Sequence, residues 1–272
     1  MDEVIRRYLP QLSTVSVREA FSHRDVKLDG KRVKQDARVH EGQLVQVYCM
    51  EAAPQELDVV YEDADVLIVN KRAGISVEPD EVGGVCLTEL ALRHVRQDDP
   101  QAAVPVACHR LDNPTCGITV LAKNGRAADI LTRAFRERTM DKRYICLVHG
   151  TPKPPEATCR AWLIKDAQAA RVTVLDREVR GAKPIVTAYE TLEAGEISRL
   201  RVHLITGRTH QIRAHMAALG HPLLGDEIYG SHRLNRLHHA RRLMLCAAEL
   251  TLDTGGQLPA LDGRTFRIRC PF

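Results

Sequence analysis

The sequence predicts an α+β fold: a large, mainly antiparallel mixed sheet flanked by helices, with a small N-terminal α/β module ahead of it. Three observations carry this. Ala161–Ile164, Arg171–Leu175, Ile185–Leu192 and Ile197–Leu204 follow one another as Val-, Ile- and Thr-rich strand candidates, with few helices among them. Beyond residue 57, helical periodicity is confined to Thr88–Gln97, Gly125–Arg138 and a stretch from Thr209 to about Leu219. Residues 1–49 carry two helix candidates and a hairpin, too little for a large core. The 272 residues and 44% apolar content support one large and one small domain. The boundaries read as 1–49, a polar linker at 50–56 containing Pro54, and 57–272.

In the N-terminal module, Val4, Ile5, Tyr8 and Leu9 are spaced as one face of a helix over Asp2–Leu9. Ser16-Val17-Arg18-Glu19 is a capping box for a second helix reaching His23. Val26–Val33 reads as a hairpin around Asp29-Gly30, and Leu44–Cys49 as a strand. Arg18, Arg24, Lys27, Lys31 and Arg32 are the candidate phosphate contacts, diluted by Asp25, Asp29, Asp36 and Glu41.

In the larger part, Val59–Val69 reads as two short strands around an acidic turn, closed by Asn70-Lys71-Arg72-Ala73-Gly74. Gly125–Arg138 is amphipathic, with Ile130, Leu131, Ala134 and Phe135 on one face. Lys142–Gly150 is a strand containing Tyr144, and Thr265–Arg269 makes the last strand. Thr209 is the expected cap of the late helix, with Ile212, Met216 and Leu219 as its core face.

The chemistry points to one loop, His109-Arg110-Leu111-Asp112-Asn113-Pro114-Thr115-Cys116-Gly117, between the apolar segments Val104–Cys108 and Ile118–Ala122. Asp112-Asn113-Pro114 is a turn signal, so a carboxylate sits on a tight loop held by buried strands. A neighbouring cation favours the ionised form a carboxylate nucleophile needs. Read alone, the loop equally suits a turn capped by Asp112 with Arg110 on the surface.

Composition narrows the function. The eight cysteines form no Cys-x-x-Cys pair, which argues for reduced, partly buried thiols over zinc or disulfides. His210 and His215 are five apart and so lie on different sides of a helix, against a metal site. Residues 1–4 lack a signal-peptide pattern and no apolar run reaches membrane-spanning length, so a cytoplasmic protein is expected. The net charge of +4 permits nucleic-acid binding without requiring it.

Together, three motifs resemble the RluA family of RNA pseudouridine synthases. They are Asn70-Lys71-Arg72-Ala73-Gly74, His109-Arg110-Leu111-Asp112 through Thr115 and Gly117, and the run Leu204-Ile205-Thr206-Gly207-Arg208-Thr209-His210-Gln211-Ile212-Arg213 continuing to Gly230. Tyr144 in its basic-then-apolar strand is similar to a further family motif. The N-terminal stretches Arg24–Val33 and Glu41–Val45 resemble the S-four RNA-binding module common in that family. The resemblance implies a pseudouridine synthase fold and isomerisation of uridine to pseudouridine with no metal or cofactor. It implies Asp112 as nucleophile, Tyr144 stacking on the base and Arg213 pairing with Asp112. Arg110 would help hold the RNA open, with His109, Thr115, Arg208, His210 and Gln211 as further RNA or structural contacts. Leu245 reads as a wall of the uracil site or as plain core. The expected partner is RNA, ribosomal ahead of transfer RNA, with a monomer as default. The competing readings are a non-catalytic RNA-binding or ribosome-assembly protein and, more weakly, a hydrolase using Asp112 with a histidine. Three positions depart from the family pattern: Arg72 for proline, Cys116 for serine and Cys246 for histidine.

Overall fold

The computed structural model describes residues 4–5, 14–48, 56–80, 85–166 and 171–272. The chain divides into two compact units, Met1–Leu57 with Ile75–Val104, and Asp58–Gly74 with Pro105–Phe272.

In the first unit, helix α1 (Thr14–Ser22) precedes a three-stranded antiparallel sheet of β1 (Val26–Leu28), β2 (Lys31–Arg32) and β3 (Val45–Val47), in the order β2-β1-β3. Asp29 and Gly30 both have positive φ, 49° and 79°, the backbone that a two-residue hairpin of this twist requires. The Asp29 carboxylate also accepts from the Leu44 N–H at 2.9 Å and so ties the hairpin to β3. Ile5, Val17, Ala20 and Val26 form the small core. The helix begins two residues ahead of the expected capping box, and the strand expected over Leu44–Cys49 shortens to β3. Of the helix expected over Asp2–Leu9, only Val4 and Ile5 lie within the described residues, and they are helical. Most of the expected linker lies outside them. Helix α2 (Leu87–Asp98) buries Leu87, Leu90, Ala91 and Val95.

The second unit is one eleven-stranded sheet. Its strands are β4 (Val59–Glu62), β5 (Val66–Lys71), β6 (Val106–Ala107), β7 (Cys116–Ala122), β8 (Asp141–His149), β9 (Glu156–Asp166), β10 (Arg171–Leu175), β11 (Lys183–Glu193), β12 (Ile197–Leu204), β13 (Leu245–Thr251) and β14 (Thr265–Arg267). The order is β10-β9-β11-β12-β8-β13-β7-β5-β4, with β14 on β13 and β6 on β7. Every pairing is antiparallel except β13 with β7, so the sheet is mixed at its middle. Strand β7 is buried throughout, as its unbroken apolar run requires of a strand covered on both faces. Gly117 has φ 125°, and a Cβ there would collide with the Ala247 backbone, which allows β7 and β13 to pair closely.

Helix α3 (Gly125–Glu137) starts at Asn124, whose side chain accepts from the Ala127 N–H, and ends at Arg138 in the left-handed region. Ala127, Ile130, Leu131 and Ala134 pack with Val66, Ile68, Ile118 and Val120 in the larger core cluster. Helix α4 (Gln211–Ala218) differs from expectation at both ends. His210, not Thr209, is the cap residue; it has φ 52° and makes no side-chain capping bond. The Gln211 side chain instead folds back ahead of the helix, accepting from the Arg208 N–H at 3.1 Å. Leu219 is exposed, whereas Gln211 through Met216 are all buried, so α4 is covered nearly all round its first turn and a half. A short helix α5 (His232–Leu237) follows, with the Ser231 side chain as its cap. Among the described residues no helix is long and apolar enough to cross a membrane.

Candidate active site

The loop between β6 and β7 closes on itself by a turn in which the Thr115 N–H donates to the Asp112 carbonyl at 2.9 Å. The loop after β5 pins it from outside. The Gly74 N–H donates to the Asn113 carbonyl at 2.8 Å, and the Lys71 ammonium reaches the same carbonyl at 3.2 Å. Lys71 is fully buried; burial pushes its pKa down to about 8, while Cys116 and Asp112 pull the other way. The Asn-Lys-Arg-Ala-Gly motif therefore serves the aspartate loop through backbone contacts that no sequence spacing reveals.

From α4, Arg213 reaches the loop. Its Nη1 lies 3.2 Å from the Asp112 carboxylate. Its other edge is taken by Asp226, with Nε to Oδ2 at 2.7 Å and Nη2 to Oδ1 at 3.0 Å. This two-point fork fixes the guanidinium plane as well as its charge. Asp226 is itself fastened, accepting from the Ile228 and Tyr229 N–H groups at 2.9 and 3.0 Å. Asn235 holds the backbone on both sides, accepting from the Gly225 N–H and donating to the Asp226 carbonyl. Burial opposes charge on both partners, but their pairing outweighs it: the Asp226 carboxyl moves below its ordinary range and the Arg213 guanidinium above its own. Tyr229 completes the support, with its ring 5.4 Å from the Arg213 guanidinium and its hydroxyl 2.9 Å from His210 Nδ1.

Tyr144 on β8 is buried in a cluster with Leu111, Leu245 and Ala247. Burial first, then the negative charge of Asp112, drives its hydroxyl pKa up, so the phenol stays protonated at neutral pH. The other sequence candidates separate into two groups. Arg110 and Arg208 are exposed, and His210 is half-buried with Nε2 at 3.9 Å from Asp112. Burial lowers the His210 pKa, so the ring is neutral at pH 7. His109, Thr115 and Gln211 lie within the fold. His109 Nε2 accepts from the Val120 N–H at 3.1 Å and its ring stacks on Phe135, and removal from water lowers its pKa to about 3. The Gln211 amide accepts from the Thr206 hydroxyl and the Arg208 N–H and donates to the Val186 carbonyl and Thr187 hydroxyl. Thr115 is buried with no bonding partner for its hydroxyl. Asp226, Asn235, Tyr229 and Lys71 had no role assigned from sequence; the first three lie in or beside the long motif ending at Gly230.

A cavity of about 630 Å³ is lined by Arg213 and Asp226 together with Lys71, Arg72, Cys116 and Arg242. A carboxylate that keeps some exposure, an arginine locked by a second carboxylate and a protonated tyrosine beside them make a site for carboxylate-based chemistry on a polar substrate.

Residues 65–218 match the family model described as RNA pseudouridylate synthase. An uncharacterized RNA pseudouridine synthase of Aquifex aeolicus is 33% identical over 249 residues, covering 85% of this chain and 76% of the relative. The chain belongs to the RNA pseudouridine synthases and, within them, to the RluA family. The dual-specificity RNA pseudouridine synthase RluA of Escherichia coli is 37% identical over 203 residues, covering 73% of this chain and 89% of that protein. Among solved structures, human RNA pseudouridylate synthase domain containing 4 shares the fold, with a TM-score of 0.65, 24% identity, and coverage of 79% of this chain and 88% of that one. The protein is thus an isomerase that converts uridine in RNA to pseudouridine.

Proposed function

We propose that Asp112 is the nucleophile of this reaction and that large-subunit ribosomal RNA is its principal substrate. The observation that carries the first part is the single 3.2 Å contact between Asp112 and an arginine whose other edge is bound to Asp226. Asp112 keeps its reach, while Arg213 cannot swing away. The target uridine is flipped out of its stack, at a cost of roughly a few kcal/mol, with Arg110 helping to hold the RNA open. Asp112 attacks the ribose C1′ or assists departure of the base, the base turns, and C5 rejoins the sugar. Tyr144 stacks on the uracil; its protonated hydroxyl suits positioning better than proton abstraction in the resting enzyme. Leu245, packed with Tyr144, backs the base. Arg208 and His210 contact the RNA or the loop, whereas His109, Thr115 and Gln211 hold the loop and α4 in place.

The test is tritium release from RNA labelled at uridine C5. Asp112→Asn keeps the size and removes the charge; its turnover falls by at least roughly 10³, about 4 kcal/mol of barrier, with RNA affinity nearly unchanged. Turnover within tenfold of wild type would remove Asp112 from the mechanism.

The ribosomal preference rests on the resemblance of residues 1–49 to an S-four module, carried by Arg24–Val33 and Glu41–Val45. Arg18, Arg24, Lys31 and Arg32 are exposed there and Lys27 half-exposed, a set suited to phosphates. Neutralising Arg24, Lys31 and Arg32 lowers the slope of log affinity against log salt by roughly 0.7–0.9 per lost contact. An unchanged slope would take these residues out of RNA binding. A second reading, that transfer RNA is modified as well, is favoured by the dual-specificity names of relatives in Escherichia coli and Salmonella typhi. Release from purified ribosomal RNA alone supports the first reading, and release from both supports the second.

A further inference from the structure

Two of the three departures from the family pattern, Cys116 and Cys246, are register partners across the parallel pair β7 and β13. Both are buried in the sheet interior, yet Cys116 lines the cavity shared with Arg213 and Asp226. Its sulfur also reaches the Leu245 carbonyl, 3.6 Å away on the same neighbouring strand. The two thiols act on one another electrostatically, and Cys246 and Cys270 do so in turn. Lys71 and Arg242, two cations at the same cavity, act on Cys116.

We propose that Cys116 is an oxidant-sensitive thiol, reached through the active-site cavity by hydrogen peroxide or a small organic hydroperoxide, with Cys246 as its resolving partner. In the first step the Cys116 thiolate attacks one peroxide oxygen and the O–O bond breaks. Cys116 becomes a sulfenic acid, and the other oxygen leaves as hydroxide or as an alkoxide that takes up a proton. In the second step the Cys246 sulfur attacks the Cys116 sulfur, loses its proton, and expels the sulfenic oxygen as water. Two thiols are oxidised by two electrons, the peroxide is reduced by two, and one disulfide forms.

The geometry permits the bridge. Neighbouring strands lie about 4.8 Å apart, within the ~4.4–6.8 Å Cα spacing of disulfides. The surroundings favour Cys116 over Cys108, Cys146 and Cys159, while Cys270 is also lowered and serves as the competing outcome of the test. The neighbouring Cys246 thiol first, with smaller help from the two cations, brings the Cys116 thiol down to about 7 against the effect of burial. Burial pushes Cys108 up to about 12 and drives Cys146 and Cys159 up as well. Cys116 is four residues from Asp112 and next to Gly117, whose backbone lies against Ala247, so a covalent tie to β13 acts at the base of the aspartate loop.

The experiment treats the full-length protein with hydrogen peroxide and maps thiols by mass spectrometry. Wild type is expected to lose two hydrogens in a Cys116–Cys246 bridge, lose turnover in step with it, and recover both on addition of dithiothreitol. Cys270→Ser, which removes the third thiol beside Cys246, forms the same bridge. Cys246→Ser, or Cys246→Ala where the serine variant folds poorly, has no resolver, and Cys116 proceeds to a sulfinic acid that dithiothreitol does not reverse. A bridge between Cys246 and Cys270 would overturn the assignment. So would free Cys116 and Cys246 thiols in wild type after exposed thiols have reacted. The mass readout requires no turnover, so the proposal stands or falls separately from the roles given to Asp112 and the RNA substrate.

Discussion

Arg213 holds two carboxylates, and they could hardly be more differently kept. The Asp226 side chain has no exposure, makes two bonds to the guanidinium and accepts two backbone N–H groups. The Asp112 side chain is 23% exposed and takes one hydrogen bond from the guanidinium, at 3.2 Å, through one oxygen. Asp226 has spent its lone pairs on the fold and Asp112 has kept most of its own. A buried arginine with one partner would be drawn wholly to it; a second, better-placed carboxylate takes the strong edge and leaves only Nη1 for the reactive group. The lesson is that the group doing chemistry is kept underbonded by overbonding its neighbour.

The strongest way to break this comparison, after removal of the nucleophile itself, is Asp226→Asn. The fork is lost, and the buried guanidinium is left with Asp112 as its charged partner. Breaking a buried pair costs roughly 3–5 kcal/mol. At about 2–4 °C per kcal/mol for a domain of this size, the melting temperature falls by roughly 10 °C. Turnover at a temperature where the variant is folded also drops, because Arg213 now collapses onto Asp112. A variant as stable and active as wild type would show that Asp226 does not hold the arginine. The same pair sets the acid limb of stability. The folded Asp226 pKa is depressed, so its contribution is present above the ordinary carboxylate range and is lost as pH falls through the folded value.

Much of the fold was legible in the sequence because it is written locally. β10 and β12 occupy the expected Arg171–Leu175 and Ile197–Leu204, where alternation and β-branched residues suffice. The hairpin at Asp29-Gly30 follows from the two residues that tolerate positive φ. What failed was decided by side chains reaching across the fold. Thr209 looked like a cap, but the chain enters the helix through His210 in the left-handed region, and the glutamine two residues beyond Thr209 folds back onto the Arg208 N–H. Leu219 fitted the helical stripe, yet it lies in the last turn, beyond the buried segment. In the site, the Asp112–Arg213 contact joins residues 101 apart and was anticipated only by resemblance. Lys71 and Asp226 carry charges that composition assigns to the surface. Burial of a charge is a property of its partners, and partners from distant strands leave no local pattern.

Lys71 sharpens the contrast from the other side of the loop. It too serves Asp112 without touching substrate in the proposed reaction, and its bonds include two to carbonyls, at 3.0 Å to Arg72 and 3.2 Å to Asn113. Burial is the largest influence on it, and its pKa falls to about 8 from 10.5. Between those values the unfolded chain binds the proton and the folded protein does not, so this group makes stability rise with pH across that window. The full effect is on the order of 3 kcal/mol at about 1.4 kcal/mol per pKa unit. Chemical denaturation of wild type and Lys71→Met at pH 7 and pH 10 checks it: the stability gap should move in favour of wild type at the higher pH. A gap independent of pH would mean that Lys71 does not titrate there.

The smallest effect is expected at His210, which sits 3.9 Å from Asp112 and could be mistaken for a second cation on the nucleophile. Burial lowers its pKa, and although Asp112 pulls upward, Arg213 adds to the lowering. At neutral pH the ring is uncharged, so its tie is the hydrogen bond to the Tyr229 hydroxyl, which also accepts from the Val172 N–H. His210→Asn keeps a short polar side chain and a residue type tolerant of the left-handed backbone found there, φ 52°. The loss is one neutral hydrogen bond, about 1 kcal/mol, which lowers turnover by roughly fivefold or less. The pH–rate profile should keep its shape between pH 6 and 9, since the proton that sets it is not on this ring. A variant that loses an acid limb near pH 6 would instead put a charged imidazolium beside Asp112, next to the Arg213 guanidinium.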